Sequence, residues 1–204
     1  MKKGMLFIDG SNVFYDWTNN NTGKKIDIEK YINYVKEKFK DVDIIRTYYF
    51  ATKTDTNVNF LQQINKLSYC EVITGHLQNK TISIKEYHNL KCADCEKSIT
   101  GSITTKVDKG TDVNIAVEML KHAYINTYDT AILISRDADF SSVVRIIKNL
   151  GKNVELVLFE DSKNSAWELT DCVDNVILIP KSEYPLLERE SDDTDTDTDT
   201  DTDK

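Results

Sequence analysis

The sequence contains nothing close to the roughly 18 unbroken apolar residues of a membrane-spanning helix. Near the N-terminus the apolar run covers only residues 5–8, too short for a signal-peptide core of about 7 to 15 residues. Cysteine is scarce, with four in 204 residues. The expectation is a soluble, cytoplasmic protein in which Cys70, Cys92, Cys95 and Cys172 are thiols or ligands and not bridges. No repeat of about 20 to 50 residues is visible, so solenoids and propellers fall away. An excess of positive charge is missing too. A net charge of −8 argues at first against a nucleic-acid partner, because phosphate binding favours a basic surface.

The location of that charge changes its meaning. Residues 188–204, ERESDDTDTDTDTDTDK, hold 9 of the 34 acidic residues and 2 of the 26 basic ones, so residues 1–187 are close to neutral at −1. The Asp-Thr repeat has too little apolar surface to offset its ordering entropy and is expected to be disordered. The sequence therefore divides into one domain, 1–187, and a tail, 188–204.

Within the domain, compact apolar runs alternate with helical patterns. Residues 5–8, 44–50, 70–74, 130–135, 154–159 and 176–179 read as strands, several of them buried on both faces. Ser11 is placed to cap a short helix carrying Phe14, Tyr15 and Trp17. Ile28, Tyr31, Ile32, Val35 and Phe39 recur at helical spacing. Further helices are expected at 56–67 and at 111–125, the latter with Val113, Ala116, Val117, Leu120 and Tyr124 on one face. Phe140, Val143, Val144, Ile147 and Leu150 mark another, stopped by Gly151, and a short one covers 165–172. Residues 75–108 instead show two alternating stretches, read as an antiparallel insert. The fold class is thus α/β, a mainly parallel sheet flanked by helices on both faces.

In an open α/β sheet, ligands gather beyond the carboxyl ends of the strands. Asp9 follows the first strand immediately. Asp137 and Asp139 follow the 130–135 strand, and Asp112 opens the helix that runs back into that strand. All four carboxylates can meet at one sheet edge. Taken singly, Asp139 and Asp112 read equally well as helix-start carboxylates favoured by the dipole. Together they would raise one another's pKa unless a cation neutralised them. Hard oxygen donors select Mg²⁺ or Mn²⁺, and such a site suits metal-assisted phosphodiester hydrolysis.

Leu6-Phe7-Ile8-Asp9-Gly10-Ser11-Asn12, Lys109-Gly110-Thr111-Asp112-Val113 and Ser135-Arg136-Asp137-Ala138-Asp139-Phe140, in this order, resemble the NYN domain of the PIN-like nuclease superfamily, in its bacterial LabA-like branch. The resemblance spans about residues 4–180. It implies a PIN-like Rossmannoid fold and divalent-metal-dependent cleavage of RNA, with Asp9, Asp112, Asp137 and Asp139 as catalytic and metal-binding acids and Asn12 and Ser135 in support. Two positions depart from the family pattern. Asn114 stands where a second helix-initial acid is common, and Arg136 where a small residue is usual.

Other features carry alternatives. Cys92 and Cys95 form half of a zinc knuckle, which Cys70, His76 and His88 are the local candidates to complete; the pair reads otherwise as thiols in a loop. Lys109, Arg136 and Tyr15 are candidate RNA contacts, Tyr15 by stacking a base. Phe14 and Trp17 are expected in the core, Arg145 and Lys148 on a solvated helix face, and Cys172 as a small buried hydrophobe. A homodimer is compatible with the sequence. The rival to a ribonuclease is a non-catalytic RNA-binding or regulatory module on the same fold. An aspartyl phosphatase is disfavoured, because Ser11 stands where its second acid belongs.

Overall fold

The computed structural model describes residues 1–20, 23–83, 95 and 102–190. Its frame is a seven-stranded sheet in the order β4-β3-β2-β1-β5-β6-β7. The strands are β1 (Lys2–Asp9), β2 (Val42–Lys53), β3 (Cys70–Ser83), β4 (Ser102–Lys109), β5 (Thr130–Ile134), β6 (Asn153–Phe159) and β7 (Asn175–Ile179). Every pairing is parallel except β3 with β4. From β1 the chain steps outward through β2, β3 and β4, then crosses back to build β5, β6 and β7 on the other flank. The order therefore reverses between β1 and β5, where an α/β sheet opens its crevice.

Side chains of β1 alternate between two cores. Leu6 and Ile8 pack in one layer with Val13 and Trp17 of α1 (Gly10–Asn20), Tyr31 and Val35 of α2 (Ile28–Lys38), and Leu61 of α3 (Val58–Ile64). Met5 and Phe7 face the other layer, with Ile115 and Met119 of α4 (Thr111–Tyr124), Val144 and Ile147 of α5 (Ser141–Asn149), and Leu169 of α6 (Trp167–Thr170). Gly10 lets α1 start directly at the strand end, for a Cβ there would lie 2.5 Å from the Tyr49 ring and 2.7 Å from the Phe50 carbonyl. Asp27 caps α2, its carboxylate accepting from the Lys30 N–H at 3.0 Å.

Several expectations are corrected. The 56–67 helix is reduced to α3 because Asn57 folds its amide onto the preceding turn, accepting from the Thr54 N–H and donating to the Thr52 carbonyl. The 165–172 helix is preceded by a 3₁₀ stretch, Glu160–Ala166, and only Trp167–Thr170 is α-helical. On α4 the buried stripe is Ile115, Met119, His122 and Ala123, while Val113, Val117 and Tyr124 face outward. Two apolar stripes compete on that helix. The polar ring of His122 sits in the buried one because Tyr48 and Thr127 hydroxyls lie within 2.8 and 3.0 Å of its nitrogens. Trp17 is buried as expected, its indole N–H donating to the Lys24 carbonyl, but Phe14 is exposed and packs edge-on against Tyr15.

Past His76, β3 leaves β2 and pairs only with β4, from His76↔Lys109 to Ser83↔Ser102. This ribbon rises from the carboxyl edge of the sheet. Its root is tight: a Cβ on Gly75 would stand 2.3 Å from Thr111 Oγ1 and 2.9 Å from the Lys109 carbonyl. Beyond β7, Glu188 bridges to Ile26, and the Arg189 N–H donates to the Lys25 carbonyl.

Candidate acidic site at the carboxyl edge of the sheet

Asp9 is the last residue of β1 and is buried, 3% exposed. Its Oδ1 accepts from the Asn12 N–H at 3.0 Å and its Oδ2 from the Ser135 hydroxyl at 3.0 Å. The Ser135 oxygen in turn accepts from the Asp137 N–H at 3.1 Å, and Asp137 Oδ1 accepts from the Asp139 N–H at 2.9 Å. Asn12 closes the loop from the opposite side, its Oδ1 accepting from the Arg136 N–H at 3.3 Å. The end of β1, the start of α1 and the 135–139 turn are thus tied into one hydrogen-bonded corner.

Asp112 enters from a third direction. Gly110 precedes α4 with φ of 93°, a left-handed conformation that glycine takes at no steric cost. Asp108 accepts from the Thr111 hydroxyl at 2.9 Å and holds that turn. Burial pushes Asp9 up to about 6, against the pull of the Asn12 and Ser135 donors, and the charges of Asp112 and Asp137 push it the same way. Asp112 is likewise raised, by desolvation first and then by Asp137, Asp108 and Asp139. The four acids singled out from the sequence therefore share one electrostatic neighbourhood, and Asp108 joins them unforeseen.

A second unforeseen acid is Asp16, buried one helical turn after Asn12. The Arg136 guanidinium lies 2.9 Å from its Oδ1. Burial raises Asp16, with Ser162 and Arg136 drawing it down. Arg136 is thereby anchored to α1, which accounts for a large cation where a small residue was expected. The Asn12 to Asp16 spacing, one turn of helix, was the available sequence signal. Tyr15, 61% exposed, and Lys109 are on the surface, and Asn114 is half-buried in the first turn of α4.

The zinc candidates are not assembled by what is described. His88 and Cys92 lie outside the described residues. Cys70 is a half-buried free thiol that burial pushes up to about 11, and Cys95 is an exposed free thiol. Cys172 is buried in the second core. Among the described residues, no three His, Cys, Asp or Glu side chains stand close enough together to hold one ion. The chemistry of the acidic corner nevertheless fits a hard divalent cation. Its donors are carboxylate oxygens, and the buried Asp9 carries a charge that its surroundings oppose.

A mainly parallel sheet with carboxylates at its switch point puts the chain among the doubly wound α/β folds, with acidic residues at the edge where such sheets take their ligands. Residues 3–180 match the family model of the NYN domain, and the chain belongs to that family. NYN domains are part of the PIN-like nuclease superfamily, whose members are generally hydrolytic nucleases acting on RNA with divalent metals. Among solved structures, a protein of unknown function from Vibrio parahaemolyticus is similar in fold. It has a TM-score of 0.62 at 19% identity, over 92% of this chain and 96% of that one. No curated protein matches. Among the described residues, no helix is long and apolar enough to cross a membrane.

Proposed function

We propose that this chain is a divalent-metal-dependent endoribonuclease. The observation that carries the reading is the buried Asp9 carboxylate at the switch between β1 and β5, with Asp112 and Asp137 raising its proton affinity. Asp9, Asp112, Asp137 and Asp139 would hold Mg²⁺ or Mn²⁺. When bound, such an ion lowers the pKa of a coordinated water and stabilises charge developing on the phosphodiester. The chain's own groups supply the orientation. Ser135 fixes one oxygen of Asp9 and, by accepting the Asp137 N–H, sets the position of the second acid. Asn12 holds the 135–139 turn against α1, and the ion pair with Asp16 keeps the Arg136 side chain on α1. Lys109 and Tyr15 are exposed and free to meet a phosphate and a base.

Incubation with single-stranded and structured RNAs, with and without Mn²⁺, tests the reading. Asp9→Asn and Asp137→Asn should each lower cleavage by at least about 100-fold. Cleavage indifferent to both substitutions would overturn it. The second reading, a non-catalytic RNA-binding module, is supported by Asn114, which stands where a second helix-initial acid is common. It predicts RNA retained on a filter with no products, and metal-dependent cleavage by the wild-type chain excludes it.

A further inference from the structure

A groove of about 740 Å³ runs between α5 and α6, starting at Asp139. It falls within the size range of small-ligand sites, roughly 300 to 1,000 Å³. Trp167 lines it and is 61% exposed, while the chain's other tryptophan, Trp17, is 2% exposed in the core. A tryptophan left this open on a concave wall is unusual for a residue that ordinarily buries most of its surface.

The charges of the groove select its occupant. Asp139, Glu168 and Asp171 line it against Arg145 and Lys148. Lys148 is already committed, 2.9 Å from Asp174 Oδ1 and donating to the Cys172 carbonyl at 2.9 Å. Among the described residues Arg145 has no carboxylate partner, so three carboxylates stand against one remaining guanidinium and disfavour a phosphodiester. They accept hydrogen bonds from a neutral planar group bearing N–H donors, and the exposed indole offers that group a stacking surface.

We propose that this groove is a nucleobase subsite: it takes one base of the RNA, stacked on Trp167, with Glu168 or Asp171 accepting from an exocyclic amino group. Adenine, guanine and cytosine carry such a group, whereas uracil offers a single ring N3–H flanked by two carbonyl oxygens that a carboxylate repels, so the groove disfavours uracil. The inference rests on the ribonuclease reading for its substrate class, since Asp139 belongs both to the groove and to the acidic site. A nucleotide seated here adjoins the phosphodiester to be cut.

The test uses the full chain bearing Asp137→Asn, so that RNA is bound and not consumed, and short oligomers of adenosine, cytidine and uridine. Binding is read by the anisotropy of a labelled oligomer and by tryptophan fluorescence. Adenosine and cytidine oligomers should quench the exposed-tryptophan signal, and uridine oligomers should bind more weakly. Trp167→Ala should weaken adenosine-oligomer binding by roughly 5- to 150-fold, the value of one lost stack, whereas Trp167→Phe should retain most of the affinity. Glu168→Gln with Asp171→Asn should narrow the gap between adenosine and uridine. Saturating RNA that leaves the fluorescence unchanged, equal affinity in Trp167→Ala, or quenching by a lysine-rich peptide but not by RNA would each overturn the subsite. These outcomes are separate from failure of the nuclease reading, which is decided by cleavage in the wild-type and Asp9→Asn chains.

Discussion

Asp9 is a residue whose placement works against folding. Its ordinary pKa of 3.8 rises to about 6 in the folded chain, so the folded state holds the proton to higher pH than the unfolded state does. For a raised carboxylate the penalty is absent below pH 4, grows as pH climbs through 6, and is fully present at 7. A rise of this size corresponds to roughly 3 kcal/mol. Asp9→Asn keeps an acceptor for the Asn12 N–H and removes the charge. We expect it to raise stability at pH 7.5 by about 1 to 3 kcal/mol in EDTA, with little gain at pH 4, as measured by urea denaturation. Added Mn²⁺ should stabilise the wild-type chain and not the variant, because a ligand of the folded state shifts unfolding by mass action. Asp9, Asp112, Asp137 and Asp139 were legible in the sequence because strand ends and helix starts fix their position along the chain. Asp16 and Asp108 were not, for their roles depend on partners, Arg136 and Thr111, that only packing or a local turn brings into reach.

Among the elements, α4 shows why period alone does not choose a face. Val113, Val117 and Tyr124 make as good a stripe as Ile115, Met119 and Ala123, and the decision falls to His122, which finds the Tyr48 and Thr127 hydroxyls on the sheet side. Burial lowers the His122 pKa, with Glu118 opposing. Because the folded value lies below the unfolded one, the unfolded chain takes up a proton first as pH falls through about 6.5, and stability declines there. His122→Gln should flatten that part of the stability profile, which thermal melts between pH 7.5 and 5 will read. The ribbon of β3 and β4 makes a second prediction at this scale. Gly75→Ala must displace Thr111 or the Lys109 carbonyl, costing about 1 to 3 kcal/mol and shifting the turn that carries Asp112. Metal-dependent cleavage should drop further in Gly75→Ala than the fraction of unfolded chain explains, when activity and circular dichroism are measured on the same sample. The alternation of β3 and β4 was readable as antiparallel, but the closeness of Gly75 to the helix start required the register.

For the whole molecule, the net charge of −8 combines a near-neutral domain with a strongly acidic tail. The Asp-Thr repeat lies outside the described residues, but the chain leading to it is held, with Glu188 paired to Ile26 and ion-paired to Lys24, and Glu190 ion-paired to Lys30. A truncation aimed at the tail alone therefore belongs after Glu190, not after Leu187. It should strengthen RNA binding at low salt and change it less at high salt, where screening shortens the reach of the tail's charge. Equal affinity at low salt would reduce the tail to a solubilising appendage. The Ser135 to Asp9 hydrogen bond spans 126 residues, and it has a consequence for synthesis. A chain that has left the ribosome only as far as β4 carries Asp9 at the end of β1 but has neither Ser135 to hold its carboxylate nor Asp137 beside it. Contacts this distant along the chain form late, after their long loop has closed. On the ribonuclease reading, the acidic corner is thereby withheld from the nascent chain until both flanks of the sheet have emerged and joined.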